Sequence, residues 1–389
     1  MGKPVKYLGP LTESRAVSQR RNQEKMAKMV RLIGQRGPKI DEIAREIGVF
    51  KETARYWYSK LLRNGFTVRA SRNHERLGMK RVAGIAELGD GFEQYSDSLM
   101  YVLGDSAYMV SFSKTLPDGL FVLSASVPEE CLSDWSEFMQ GLKSLGIFKS
   151  LDLVPLDWVR NVPMWAEWFN FDTYTWDFDW NNTKVNPYRA EGVPAGRTTY
   201  DEVDLGIIEQ LQTDATVPLT KICQKLRVSS YKTADWHYRN HILDRGLITG
   251  YILNWGGIRY DPAAEKLIHR KHRFMWMELI ADGLSQEEKT RLIRKLNLTP
   301  FVMLEGQGPG RYFARMAFPT EMMTEALEHL ESAVSPIRQK VKWYHLDQAH
   351  ALWFTFPRQN YNEAEQRWNF NKGELLRRFE ELVQKIREG

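Results

Sequence analysis

Lys51, Thr53, Arg55, Tyr56 and Lys60 are the first residues in this chain whose types and spacing suggest chemistry. On a helix they share one face, and cations, hydroxyls and phenols arranged so can reach phosphate oxygens and base edges. A second basic group follows at Arg69, Arg72, His74, Arg76, Lys80 and Arg81. It suits a nucleic-acid backbone or a minor groove, the plain alternative being a basic linker. A weaker third set, Ser229, Ser230, Lys232, His237 and Arg239, occupies the corresponding stretch further on. Double-stranded DNA is therefore the expected partner. No nucleophile triad, paired-carboxylate site or phosphate-cradling glycine loop stands out, so no catalytic residue and no cofactor are expected. Gly306, Gly308 and Gly310 precede a strand and not a helix, and read as a turn. Cys131 and Cys223 stand far apart, and neither they nor the histidines are read as a metal site.

The element that would position the first set is KIDEIAREIGVFKETARYWYSKLLRNGF, residues 39–66. Apolar residues recur at helical spacing, Ile40, Ile43, Ala44 and Ile47, then Ala54, Tyr58 and Leu61, with a break at Gly48-Val49-Phe50. Short helix, tight turn and longer helix make a helix-turn-helix, closed by Gly65. A helix from Thr12 to Gly34 would pack beneath it. FTVRASRNHERLGMKR then reads as a wing.

Charge supports a basic front end. Residues 1–81 hold 20 Lys and Arg against 7 Asp and Glu, a balance of +13; the remaining 308 hold 34 against 42, or −8. The third set sits in a weaker field, since residues 201–262 carry 7 Lys and Arg against 8 Asp and Glu. Phosphate neutralisation supplies most non-specific affinity, so the first module is expected to be the main reader. Hydrophobic residues at 43 % and charged ones at 26 % indicate a globular protein. No apolar run reaches the roughly 18 residues of a membrane span, and a cytoplasmic location is expected.

Beyond the wing, the segments 81–88, 92–104, 106–115, 120–128, 129–146 and 150–159 read as β-α-β-β-α-β. WFNFDTYTWDFDW (168–180) would place Tyr174, Trp176, Phe178 and Trp180 on one strand face, buried against another element. The second half repeats the first: Val49, Thr53, Ala54, Tyr58 and Gly65 match Val228, Thr233, Ala234, Tyr238 and Gly246, and WFNF at 168 returns as WFTF at 353. The expected class is α+β, with two repeats of a winged helix-turn-helix followed by a ferredoxin-like βαββαβ domain. The divisions fall at 1–81, 82–180, a linker 181–200, 201–262, 263–371 and an amphipathic helix 372–389. That last helix is either an internal brace or a contact between chains.

DLGIIEQLQTDATVPLTKICQKLRVS, together with LFVLSASVPEECLSDWSEFMQGLKSLG and RYFARMAFPTEMMTEALEHLES, resembles the Lrp/AsnC (feast/famine) transcriptional regulators. The resemblance covers roughly 26–160 and 201–348. It implies an intramolecular pseudo-dimer that regulates transcription and is no enzyme. A small-molecule effector at the ferredoxin-like domains and a homodimer are the further partners it allows. The loop between the middle strands, TLPDG in one half and GQGPGR in the other, departs from that family's acidic pattern. Two rival readings keep the fold. One is an architectural or transcription-machinery-associated DNA-binding protein. The other resembles siroheme decarboxylases, which hold a tetrapyrrole among histidines and arginines; His345, His350, Arg311 and Arg315 are the local candidates.

Overall fold

The computed structural model describes residues 9–187, 196–254, 259–261, 266–268 and 274–388. Three helices come first, α1 (Gly9–Arg36), α2 (Ile40–Ile47) and α3 (Lys51–Arg63). Gly48 ends α2 in the left-handed region at φ 65°, where a side chain would be strained, and the Val49 N–H returns to the Ala44 carbonyl. Ile43, Ala44, Ile47, Ala54 and Leu61 share a core with Met26, Met29, Val30 and Ile33 of α1.

The chain continues through β1 (Thr67–Arg72), β2 (Met79–Leu88), α4 (Ser96–Ser106), β3 (Met109–Leu116), β4 (Phe121–Pro128), α5 (Leu132–Ser144), β5 (Phe148–Pro155) and β6 (Trp158–Asn161). The short strands β7 (Phe169–Asn170) and β8 (Thr175–Trp176) precede α6 (Glu202–Thr213), α7 (Leu219–Leu226) and α8 (Tyr231–Trp236). α8 runs on as a π-helix over His237–Leu243, followed by β9 (Ile248–Asn254), β10 (Arg259–Asp261) and β11 (Lys266–Ile268). Then come β12 (Phe274–Asp282), α9 (Gln286–Leu296), β13 (Val302–Gly308), β14 (Arg311–Pro319), α10 (Met323–Val334) and β15 (Val341–Trp353). β16 (Tyr361–Asn362), β17 (Arg367–Trp368) and α11 (Lys372–Glu388) complete it.

This is an α+β fold with one large antiparallel sheet, ordered β5-β2-β4-β3-β15-β12-β14-β13-β6. Its two edge strands are consecutive in the chain. The Leu156 N–H donates to the Arg81 carbonyl of β2, and the Asp157 N–H to the Gln307 carbonyl of β13. Two adjacent residues thus bond to strands at opposite ends of the sheet order, which curls the sheet into a barrel. The strand expected at 150–159 divides here because its backbone changes partner. β15 makes a similar change, pairing with β12 from Val341 to Leu346 and with β3 at His345 and Leu346 and again, after an irregularity, from Ala351 to Trp353.

Strand alternation sorts the side chains. Met277, Leu279, Tyr312, Ala314, Leu123 and Phe121 face outward into the core beneath the helices. Ala83, Leu156, Ile280 and Phe313 form a separate cluster, with Ile85, Val159, Leu304 and Tyr344 against it; this is the apolar centre of the barrel. Gly306 lies inside β13, where a Cβ would stand 2.2 Å from the Phe313 ring and 2.7 Å from Val159. Of the three glycines read as a turn, only Gly310, at φ 69°, makes one.

Two other expectations change. The aromatic segment is a hairpin and not one strand: the Asn170 side chain accepts the Asp172 and Thr173 N–H groups, and Tyr174 turns left-handed at φ 60°. Its rings still bury, Trp176 and Phe178 packing on Phe301. α11 lies on α5, with Phe379 against Phe138, so it braces its own chain. No helix among the described residues is long and apolar enough to cross a membrane.

Candidate anion site in the barrel

Small polar side chains occupy the inner face of β3 and β4. Ser111, Ser113, Ser124 and Ser126 are all buried, and the Ser111 and Ser124 hydroxyls lie 2.7 Å apart. Arg81, at the head of β2, donates from Nη2 to Ser124 Oγ at 3.1 Å. From the facing half, Arg315 on β14 donates from Nε to Glu278 Oε2 on β12 at 2.6 Å, both side chains 3 % exposed. Arg72 ends β1 and the loop after it carries His74, whose Nδ1 lies 2.7 Å from Ser126 Oγ. Arg72 stacks over Phe356 and reaches Gln212 on α6 through Nη1 at 3.3 Å.

These groups feel one another. Burial pushes Arg72 down to about 9, helped by the charge of Arg81. Burial, with the Arg315 charge, pushes Arg81 down to about 10, and Glu278 pulls the other way. Both stay cationic at neutral pH. Burial, with Arg81 and then Arg72, holds the His74 imidazole well below its ordinary range, so it is neutral there. Glu278 thus serves Arg315 directly and Arg81 at longer range, while Arg72 is repelled by Arg81.

Their donors are also unfilled. Arg72 Nε and Nη2, Arg81 Nε, Arg315 Nη1 and Asn73 Nδ2 are buried with no hydrogen-bond partner among the described residues. Buried donors are nearly always paired, and an orphaned charged one is costly. Glu305, on the outer face of β13, makes the contrast. It takes Arg160 Nε at 2.6 Å, the Tyr312 hydroxyl at 2.9 Å and Asn297 Nδ2 at 3.4 Å, so this acid is filled and its charge balanced, although Asn297 Oδ1 beside it also lacks a hydrogen-bond partner among the described residues. The Arg72–Arg81–Arg315 group has the opposite character: excess positive charge, planar forked donors and open valences, the arrangement that receives carboxylates. Trp353, half exposed, lies 5.0 Å from the Arg315 guanidinium and edge-on to Trp276 at 6.5 Å.

The residues expected to read DNA fall in several places. Lys51 and Arg55 turn back onto Asp41, Arg55 through two bonds of 2.9 and 2.6 Å. Thr53 is partly buried beside Phe50, and Tyr56 is exposed. Lys60 reaches the Phe171 carbonyl and packs over Tyr174. Arg69 is exposed on β1, Arg72 enters the barrel site, and Arg76 is held by the Asn73 side chain at its backbone N–H. β1 is no free wing, because it pairs antiparallel with β9. Ser229, Lys232 and Arg239 are exposed, Arg239 bonding Asp235, while Ser230 caps α8. His237 is buried against Asp204. The expectation of no metal site passed over the spacing of His237 and His241, four residues apart, which face Asp201 and Asp204 together.

Of the tetrapyrrole candidates only Arg315 reaches the site. Arg311 bonds Asp152 and Asp282 past the apolar centre, at the far end of the strands. His345 pairs with Met277 and so turns outward; the His350 side chain lies outside the described residues. Arg81 and His74, wing cations by sequence, line the site instead. The alternation of Ser111 with Ser113 and Ser124 with Ser126 was a usable sign of a polar inner face.

No family model and no curated protein matches the chain. It is similar to the solved siroheme decarboxylase NirDL, at 13 % identity and a TM-score of 0.46, over 93 % of this chain and 99 % of that one. The same enzyme with an iron-uroporphyrin III analogue gives 13 % and 0.48, over 92 % and 98 %. An anthrone oxidase-like protein gives 10 % and 0.33, over 75 % and 98 %. These findings correct the reading as an Lrp/AsnC transcriptional regulator without enzymatic activity. The solved structures named here are a siroheme decarboxylase and an oxidase-like protein, and no family or sequence match supports DNA binding or transcription regulation.

Proposed function

We propose that this chain is an enzyme of the siroheme-decarboxylase kind, binding a polycarboxylate tetrapyrrole at the arginine-rich end of its barrel and removing carboxylate from it. The observation that carries this reading is the group of unfilled guanidinium donors on Arg72, Arg81 and Arg315. A monoanion would leave charge uncompensated, whereas several carboxylates on one rigid scaffold fill the site. The macrocycle itself would rest on Trp353 and Trp276. With this goes the finer view of the fold: two repeats of a helix-turn-helix module and a ferredoxin-like unit, divided as the sequence suggests.

Decarboxylation breaks the bond between a carboxylate and its carbon, releases carbon dioxide and leaves an electron pair on that carbon for a proton to quench. In this proposal the arginines hold the carboxylates that do not react. The reacting one meets the apolar wall of Ala83, Ile280 and Phe313, where loss of water raises its energy. His74, neutral and hydrogen-bonded to Ser126, relays the proton. Titrating the full chain with iron-uroporphyrin III tests the site: saturable binding that weakens about 10- to 100-fold in Arg81→Gln is expected, from the roughly 1.5–3 kcal/mol of a charged hydrogen bond. Equal binding by the variant refutes the assignment.

A further inference from the structure

A second cluster lies outside the barrel, in the module built from α6 to β9. Asp201 and Asp204 stand at the first turn of α6, and His237 and His241 lie one turn apart on the π-helical segment. One ligand atom from each falls within 4.8 Å of all the others. His237 Nδ1 is 2.8 Å from Asp204 Oδ1 and 3.5 Å from Asp201 Oδ2. His241 Nδ1 is 3.0 Å from Asp204 Oδ2 and 3.8 Å from Asp201 Oδ2.

We propose that Asp201, Asp204, His237 and His241 form a structural site for a divalent transition ion of the zinc type. Zinc takes imidazole nitrogen and carboxylate oxygen at about 2.0–2.2 Å in a tetrahedron, which sets neighbouring ligand atoms roughly 3.3–3.5 Å apart. The separations to Asp201 Oδ2, 3.5 and 3.8 Å, lie at and beyond that distance; those to Asp204, 2.8 Å to Oδ1 and 3.0 Å to Oδ2, are hydrogen-bond lengths that an ion would have to part. Two imidazoles and two carboxylates also match zinc chemistry better than calcium or magnesium, which take oxygen ligands in larger number.

Charge and packing point the same way. Asp204 is fully buried, and its carboxylate and that of Asp201 converge on the two imidazoles, a place where a dication would balance buried negative charge. The carboxylates are held for the task. Asp201 Oδ1 accepts the Asp204 N–H, Asp204 Oδ2 accepts the Asp201 N–H, and Asp201 Oδ2 is left to face both rings. The π-helical turn sets the two histidines on one side, and such turns recur at functional sites. Trp236, half exposed, packs edge-on against both imidazoles, with centroids 5.2 and 4.3 Å away. Four protein ligands leave no open position, so the ion fastens the start of α6 to the π-helix and takes no part in chemistry.

The test uses the full chain, stripped with a chelator, dialysed and reloaded with zinc or cobalt. One ion per chain by elemental analysis is expected, with visible cobalt bands of a four-coordinate site and no sulfur charge-transfer band. The melting temperature should rise by several degrees on loading. The double variant His237→Gln/His241→Gln should lose the ion. If it does not fold, His241→Gln alone, kept folded by circular dichroism, should bind at least about 100-fold more weakly, beyond the loss seen for outer-shell partners. Arg81→Gln should retain the ion, so failure here is separable from failure of the barrel assignment. A folded wild-type chain that retains no ion at micromolar concentration, or a folded variant that keeps it, overturns the proposal.

Discussion

Glu278 Oε2 accepts the Nε of Arg315 at 2.6 Å inside the barrel, and its charge also acts on the buried Arg81 guanidinium. The balance of charge at that end of the sheet rests on this contact. Removing the acid leaves Arg315 buried and unpaired, a change that typically costs about 3–5 kcal/mol. Glu278→Ala should therefore unfold at markedly lower urea, with an unchanged dependence on denaturant. Added polycarboxylate should recover part of the loss. A loss below about 1 kcal/mol would mean that water already satisfies the guanidinium.

Arg81 should behave in the opposite way. It has one bond to Ser124 and an unfilled Nε, with Arg72 and Arg315 repelling it. Arg81→Met removes a poorly compensated buried cation and should stabilise the empty protein by about 1–3 kcal/mol while weakening anion binding. Stability and binding moving together, both down, would show that Arg81 is a structural group.

His74 gives the pH dependence its sign. Its folded pKa is lowered, by burial first and then by Arg81 and Arg72, while the unfolded chain has the ordinary value near 6.5. Between those two values the unfolded state binds the extra proton, so stability is fully present above about pH 6.5 and falls as pH drops below it, by at most about 1.4 kcal/mol per unit. Denaturation midpoints measured from pH 8 to pH 5 should follow that slope, and His74→Gln should flatten it. An identical slope in the variant would place the titration elsewhere.

The apolar centre sets a packing test. Phe313 fills the space that a side chain at residue 306 would need. Gly306→Ala should destabilise by about 1–3 kcal/mol through overpacking, and Phe313→Ala by about 3–5 kcal/mol through a cavity. Combined in one chain they should be less harmful than their sum. Full additivity would deny that the two positions share space.

Local order was legible in the sequence, and the pairing of distant strands was not. The helices around Ile43 and Leu61 and the strands β2 to β4 follow from periodicity and turn residues. Barrel closure depends on β6 meeting β13 at Arg160 and Glu305, some 145 residues apart, and no local pattern encodes that contact. The basic run misled for a physical reason. Arg72 and Arg81 look like surface cations until the pleat of β2 and the pairing of β1 with β9 carry them inward. His237 and His241 had the spacing of a ligand pair in plain view, but their carboxylate partners lie more than thirty residues earlier, at Asp201 and Asp204.

The most direct measurement is carbon dioxide release from siroheme by the purified full chain under anaerobic conditions, beside its Arg81→Gln and Arg315→Gln variants. Turnover by the wild type that both variants lose, with their circular dichroism unchanged, is the expected result. A folded wild-type chain that neither binds the tetrapyrrole nor releases carbon dioxide would contradict an active site at the arginine-rich end of the barrel.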